Sequence, residues 1–304
     1  MTSSLEENSR TSERLVALQL DRPSRIRPWR RVVRILPGLV LIVGVIYCLI
    51  PIVWLLTAAT KSPAELFSTT PFVPGTGLLS NLQALLQFRD GVYLQWTLNS
   101  LLYAGGGALA CSLVSAAAGF ALAKYRFRGK SLIFAALVAG VLLPYITLAI
   151  PQYLLAAQAG ISNTYWAVLL PGIVSPFSIY LARIYAQASI PDEVLEAARV
   201  DGASEWRIFR SIALRLLVPG LVTVFLLQFV GIWNNFLLPY VMLGTENNFP
   251  LSVGLFGLMS ASQERTYYST AIVGAAVAVI PLLILFVVLQ RFWRLDLLSG
   301  TVKG

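Results

Sequence analysis

Five stretches of this chain carry no charged side chain: Ile35–Thr60, Gly91–Ala123, Ser131–Ala182, Leu216–Thr245 and Thr266–Gln290. Each is long and apolar. In lipid no water satisfies backbone N–H and C=O groups, so only helices and closed barrels can cross. A crossing helix needs roughly 20 apolar residues. Four of the stretches fit one span each, and Ser131–Ala182 is long enough for two with a tight turn between them. The expected fold class is therefore all-α: a polytopic membrane protein with six transmembrane helices over residues 35–294. Composition agrees, since charged residues make up 12% of the chain, where a soluble domain has about 25%.

The remaining charges are placed by topology. Basic residues crowd the N-terminal tail (Arg22, Arg25, Arg27, Arg30, Arg31, Arg34), the turn Lys124–Lys130, the central loop and the C-terminal tail. Only Lys61, Arg89 and Arg265 fall on the other side. Loops rich in Lys and Arg stay cytoplasmic, so both termini and the central loop are expected inside a bacterial or archaeal cell membrane. The same distribution argues against nucleic acid as the reason for the net charge of +9. Residues 1–34 read as a cytoplasmic tail without fixed structure, and they lack the features of a cleavable signal. Residues 295–304 read as a second short cytoplasmic tail. The outer segment 61–96 contains Pro63, Pro71, Pro74, Gly75 and Gly77 between apolar residues. It is expected to form short interfacial helices, either capping the bundle or meeting an external partner.

Several chemistries are excluded. The chain has no histidine, which removes Ser-His and Cys-His nucleophile systems and nearly all zinc sites. Cys48 and Cys111 both lie inside spans and read as small apolar residues. Gly129-Lys130-Ser131 matches the end of a phosphate-binding loop, but Lys124 stands where that loop needs its first glycine. No cofactor is expected on this chain. Small residues recur every fourth position at Gly107, Cys111, Ser115, Gly119 and Ala123, so one face of the second span should admit another helix closely.

The central loop, residues 188–215, is a polar island between oily segments. Pro191 suits a helix start, and Asp192 and Glu193 favour the positive end of its dipole. Asp201-Gly202 breaks the run, because glycine tolerates the positive φ of a tight reversal. Ser204 is a candidate N-cap for a second helix, whose expected apolar face is Trp206, Phe209, Ile212, Ala213 and Leu216.

The order Glu196-Ala197-Ala198, Asp201-Gly202-Ala203 and then Ile212-x-Leu214 resembles the EAA loop of ATP-binding-cassette importer permeases. Arg215 departs from that pattern, which usually has proline there. Leu143-Pro144, Ile150-Pro151-Gln152-Tyr153, Asn163-Thr164-Tyr165-Trp166 and Leu170-Pro171-Gly172 look like stretches of the carbohydrate, maltose/oligosaccharide-type branch. The resemblance covers the chain from about Pro37 onward. It implies a permease subunit, not an enzyme, working with a second permease, two ATPases that bind ATP and Mg, and an external sugar-binding protein. It also implies coupling to the ATPases through Glu193, Glu196, Ala197, Ala198, Asp201, Gly202 and Ala203.

For the substrate path the candidates are Gln152, Gln228, Trp233, Asn234 and Asn235, polar or aromatic residues in apolar spans. Amides can pair with sugar hydroxyls and an indole can stack on a sugar face. Hydrogen bonding between helices is the competing reading for Gln228 and Asn234. The absence of charge from the span cores favours a neutral substrate and argues against ion-coupled transport. A secondary carrier and an integral-membrane enzyme are the two alternatives. Cysteines introduced within 69–80 or 245–265 should react with an impermeant reagent added outside sealed cells. Labelling from outside at Ser204 or Thr301 would overturn the topology.

Overall fold

The computed structural model describes the backbone of residues 28–260 and 266–300, and side chains of residues 36–260 and 267–292. Among these residues every regular element is helical. The expectations for residues 1–27 and 301–304 lie outside the described residues. The C-terminal helix runs to Gly300, past the start of the expected tail.

The first span is α1 (Pro28–Ala59), and its side chains from Leu36 to Trp54 are all exposed. The outer segment then forms α2 (Pro63–Ser68) and α3 (Leu78–Gln87). Ser62 and Glu65 close a capping box on α2: Ser62 N donates to Glu65 Oε2 at 2.9 Å, and Glu65 N donates to Ser62 Oγ at 3.3 Å. Leu85 of α3 is fully buried in one cluster with Tyr93, Trp96, Phe229, Ile272 and Val273. The outer segment is therefore packed onto the bundle.

The second span runs through α4 (Val92–Leu101), a π turn at Leu102–Gly106 and α5 (Gly107–Lys124). The third is broken. α6 (Lys130–Leu142) stops before Pro144, a 3-10 turn covers Tyr145–Leu148, and α7 (Ala149–Gln158) leaves at a bend of 100°. Proline lacks the N–H that would continue the ladder and pushes the preceding residue to extended backbone; Leu143 has ψ 126°. Pro176 acts in the same way between α8 (Tyr165–Ile173) and α9 (Pro176–Ser189). The third span is thus not one straight helix, and residues 131–182 form two spans of which the first is bent at Pro144. Arg183, just upstream of the central loop, lies inside α9, less than two turns from its end.

The central loop leads on into the fifth span. α10 (Asp192–Val200) and α11 (Glu205–Ile208) lead through a π turn at Phe209–Ala213 into α12 (Leu214–Trp233). The fifth span ends at Trp233, well short of Thr245. A short α13 (Leu237–Met242) follows, and then α14 (Leu251–Ser260), an apolar helix too short to cross that buries Leu251, Val253, Gly254 and Leu258. The sixth span is α15 (Thr266–Ala278) and α16 (Ile280–Gly300), interrupted just before Pro281.

The small-residue stripe does what its spacing predicts. Gly107, Cys111, Ser115 and Gly119 are all buried, and α5 packs on α9 and α12. A Cβ on Gly119 would lie 2.7 Å from Arg183 N and 2.8 Å from the Ala182 carbonyl carbon. Those are backbone atoms of α9, so nothing can rotate aside. Gly119→Leu should lower the thermal midpoint of the detergent-solubilised protein by roughly 3–10 °C, from about 1–3 kcal/mol of overpacking. Gly105→Ala, where a Cβ meets nothing within 4 Å, should leave the midpoint unchanged.

Candidate functional site

Two regions carry the candidate residues: the central loop at one end of the bundle and a cavity among α8, α9 and α12.

The loop is a helix, a reversal and a second helix, as expected, and its caps follow from the sequence. Gly202 has φ +77°. Ala203 N donates to Ala198 O at 3.0 Å and Gly202 N to Arg199 O at 3.0 Å, the paired bonds of a Schellman motif that satisfy the last carbonyls of α10. Ser204 Oγ accepts from Arg207 N and starts α11. Leu195, Ala198, Ile208, Ala213 and Leu217 bury against Ala116, Phe120, Ala186 and Ile190. The buried face of the second helix is therefore Ile208, Ala213 and Leu217, not one that includes Trp206 and Leu216. The π turn inserts one residue and moves the register by one position. Trp206 is 68% exposed.

Ala198 is also turned inward, at 9% exposure. Its small side chain lets α10 seat on the chain's own core, so it is not part of an outward contact surface. Glu193, Glu196, Ala197, Asp201 and Gly202 are exposed. Val200, between them, is 88% exposed, and neither it nor Trp206 was singled out by the sequence pattern as a surface residue.

The turn after α5 clamps this loop at both ends of α10. Lys124 Nζ bonds Asp192 Oδ1 at 2.7 Å. The Tyr125 hydroxyl donates to Glu205 Oε2, while Arg199 Nε bonds Glu205 Oε1 at 2.8 Å. The hydrogen bond and charge of Lys124 hold Asp192 below the usual carboxylate range. A depressed carboxylate keeps its contribution at neutral pH and loses it only as pH falls through the lowered value. Burial, then the Glu205 carboxylate, pushes the Tyr125 hydroxyl up to about 12, so it remains a donor. Lys130, the residue of the rejected phosphate-loop match, donates Nζ to Tyr125 O at 2.9 Å.

The cavity has a volume of about 310 Å³. Tyr145, Gly172, Ser175, Gln228 and Asn235 line it with several apolar residues. Gln228 Nε2 donates to Gly172 O at 3.1 Å and its Oε1 accepts from Ser178 Oγ at 3.4 Å. Asn235 Nδ2 reaches Tyr145 Oη at 3.5 Å. Gln228 and Asn235 are thus brought together, and Tyr145 joins them from the broken third span. Tyr145 was legible only as the aromatic residue after a span-breaking proline.

The other path candidates lie elsewhere. Trp233 is buried at 6% exposure and stacks on Phe229 at 5.7 Å; it belongs to the main core and does not line the cavity. Asn234 is exposed and returns its Nδ2 to Val230 O at 2.8 Å, closing its own helix. Gln152 borders a separate apolar hollow of about 310 Å³ beside Trp166 and Met242. Among the described residues no group of three or more Cys, Asp or Glu side chains could hold a metal ion.

Residues 113–294 match the family described as binding-protein-dependent transport system inner membrane component. The chain is 34% identical to the arabinooligosaccharides transport system permease protein AraQ of Halalkalibacterium halodurans, over 84% of this chain and 91% of that one. The chain belongs to this family. It is also 29% identical to the lactose transport system permease protein LacG of Rhizobium radiobacter, over 90% of this chain and 98% of that one. Its fold matches a chain in the crystal structure of a bacterial ABC transporter involved in import of the acidic polysaccharide alginate, with TM-score 0.76 and 23% identity, over 89% of this chain and 99% of that one. The chain is accordingly a membrane-spanning ABC transporter permease subunit and not an enzyme. The family match contains both the clamped loop and the cavity.

Gly202→Val places a β-branched side chain at positive φ, which costs about 1–2 kcal/mol. A cysteine at Ala203 should then react with a thiol reagent roughly tenfold faster than in the parent. Gly202→Asn, whose side chain tolerates the left-handed region, should stay within about threefold of the parent.

Proposed function

We propose that this chain forms half of the path of an ATP-driven, binding-protein-dependent importer of a neutral carbohydrate, and that its central loop couples it to the ATPases. The observation that carries the substrate class is the cavity. Its polar side chains are two amides, a phenol and one hydroxyl, with no charged side chain among its lining residues. Such groups pair with sugar hydroxyls, and the size falls in the range of small-molecule sites. The arabinooligosaccharide and lactose permeases among its relatives support a carbohydrate. The alginate importer carries an acidic chain on the same fold, so neutrality rests on the lining residues alone.

Coupling is supported by the shape of α10. Its inward face is fixed to the core by Leu195 and Ala198, and its ends are clamped by Lys124, Tyr125 and Arg199. What remains outward is Glu193, Glu196, Ala197, Val200 and Asp201, a charged rim around an apolar point. A body seated there would move α5, α9 and α12 together, which is the rigid-body type of switch. In this reading two ATPase subunits bind ATP and Mg on the cytoplasmic side, where both termini also lie. A second permease completes the path, and a sugar-binding protein delivers substrate from outside.

Gln228→Leu and Asn235→Leu remove hydrogen bonds of about 1–3 kcal/mol from the cavity wall. Each should raise the KM for oligosaccharide uptake or shift sugar preference by roughly tenfold. Trp233→Ala should instead reduce the amount of folded protein in the membrane. If both Leu variants kept the parent's uptake kinetics and selectivity, the cavity would not be the path.

A further inference from the structure

Arg183 is the polar group the fold leaves without an explanation. It lies within the last two turns of α9, on the face toward α6. Its guanidinium stacks on the Phe134 ring at 4.0 Å, and Phe134 in turn stacks on Tyr180 with centroids 6.1 Å apart. Arginine carries five N–H donors and no acceptor. Among the described residues none of those donors meets an acceptor within hydrogen-bonding distance, and Nε is shielded from solvent. No carboxylate of the described residues lies within ion-pair distance. By contrast, Lys124, Lys130, Arg199 and Arg89 all have oxygen partners.

The position is informative. A residue rises 1.5 Å along a helix, so Arg183 sits roughly 9 Å in from the end of α9 at Ser189. In the proposed topology α9 runs toward the cytoplasm, which places Arg183 toward the cytoplasmic headgroups rather than the membrane centre. Deeper along the same two helix stripes the surface is apolar and open: Val138 is 37% exposed, Val141 40% and Phe177 46%. Lys130 starts α6 one turn before Phe134, and Arg126 and Arg128 are exposed in the adjoining turn. A half-buried guanidinium whose shielded Nε has no partner is costly, while a fork of N–H donors matches a phosphate. Basic pockets between spanning helices bind anionic headgroups.

We infer that Arg183, held by Phe134 and flanked by Lys130, is a binding site for the phosphate of an anionic phospholipid seated between α6 and α9. The acyl chains would run toward the membrane core along Val138, Val141 and Phe177. The inference needs the spans of α6 and α9 and does not depend on which solute is carried.

The test is native mass spectrometry of the full chain, purified in its membrane assembly in mild detergent with added phosphatidylglycerol or phosphatidylcholine. The parent should retain phosphatidylglycerol, and Arg183→Gln should retain roughly tenfold less, the loss of one charge-assisted contact. Arg128→Gln, at an exposed position in the turn, should retain nearly as much as the parent. Millimolar inorganic phosphate should fail to displace the lipid; displacement would show a free-phosphate site and overturn the lipid assignment. Equal retention by the parent and Arg183→Gln would also overturn it, and would leave a carboxylate of an adjoining subunit as the partner of the guanidinium.

Discussion

The crossing of α5 and α9 at Gly119 is the contact on which the functional end of the molecule depends. With only a hydrogen at that position, the two backbones approach closely enough for Ala182 and Arg183 to lie against it. Everything that holds the central loop hangs from these two helices. α5 ends in Lys124 and Tyr125, which grip Asp192 and Glu205. α9 is joined to α10 by only two extended residues, Ile190 and Pro191. Were α5 and α9 spaced farther apart, Phe120 could not fill the gap beneath Leu195 and Ala198, and Lys124 and Tyr125 could not reach both Asp192 and Glu205.

The loop and the cavity are linked through α12. This helix continues from α11 without a break, and Leu217 near its start belongs to the loop's core. Gln228, about three turns farther on, faces the cavity. A displacement of α10 and α11 is therefore carried along one stiff element to the cavity wall. The far end of α12 is anchored by Phe229 and Trp233 in the main core. The cavity's other wall is built from the two proline breaks, at Pro144 and at Pro176, where freed backbone and Tyr145 face inward. Such irregular backbone is tolerated at membrane depth where it lines a cavity.

Much of this was legible in the residues. Charge-free windows located the spans because lipid permits no unpaired backbone, and a left-handed Gly202 followed by Ser204 located the reversal. What the pattern could not show was three-dimensional register. A π turn at Phe209–Ala213 has no strong local signature, yet it exchanges Leu216 for Leu217 on the buried face. Trp233 and Gln228 both read as polar or aromatic residues in an oily span, and only the rotation of α12 decides that one enters the core and the other the cavity. Ala198 read as an open contact because small residues serve both surfaces and close packing; its burial beside Phe120 decides between them. Tyr145 contributes to the cavity only because the third span folds back by 100°.

The central claim is that this permease works as one part of an ATP-driven assembly. The direct measurement is sugar accumulation in proteoliposomes containing the assembly purified through a tag on this chain. Accumulation should require ATP on the face carrying the central loop and a sugar-loaded binding protein on the opposite face, with ATPase subunits present in the purified assembly. Accumulation by this chain without any ATPase subunit, driven by an ion gradient alone, would contradict the account.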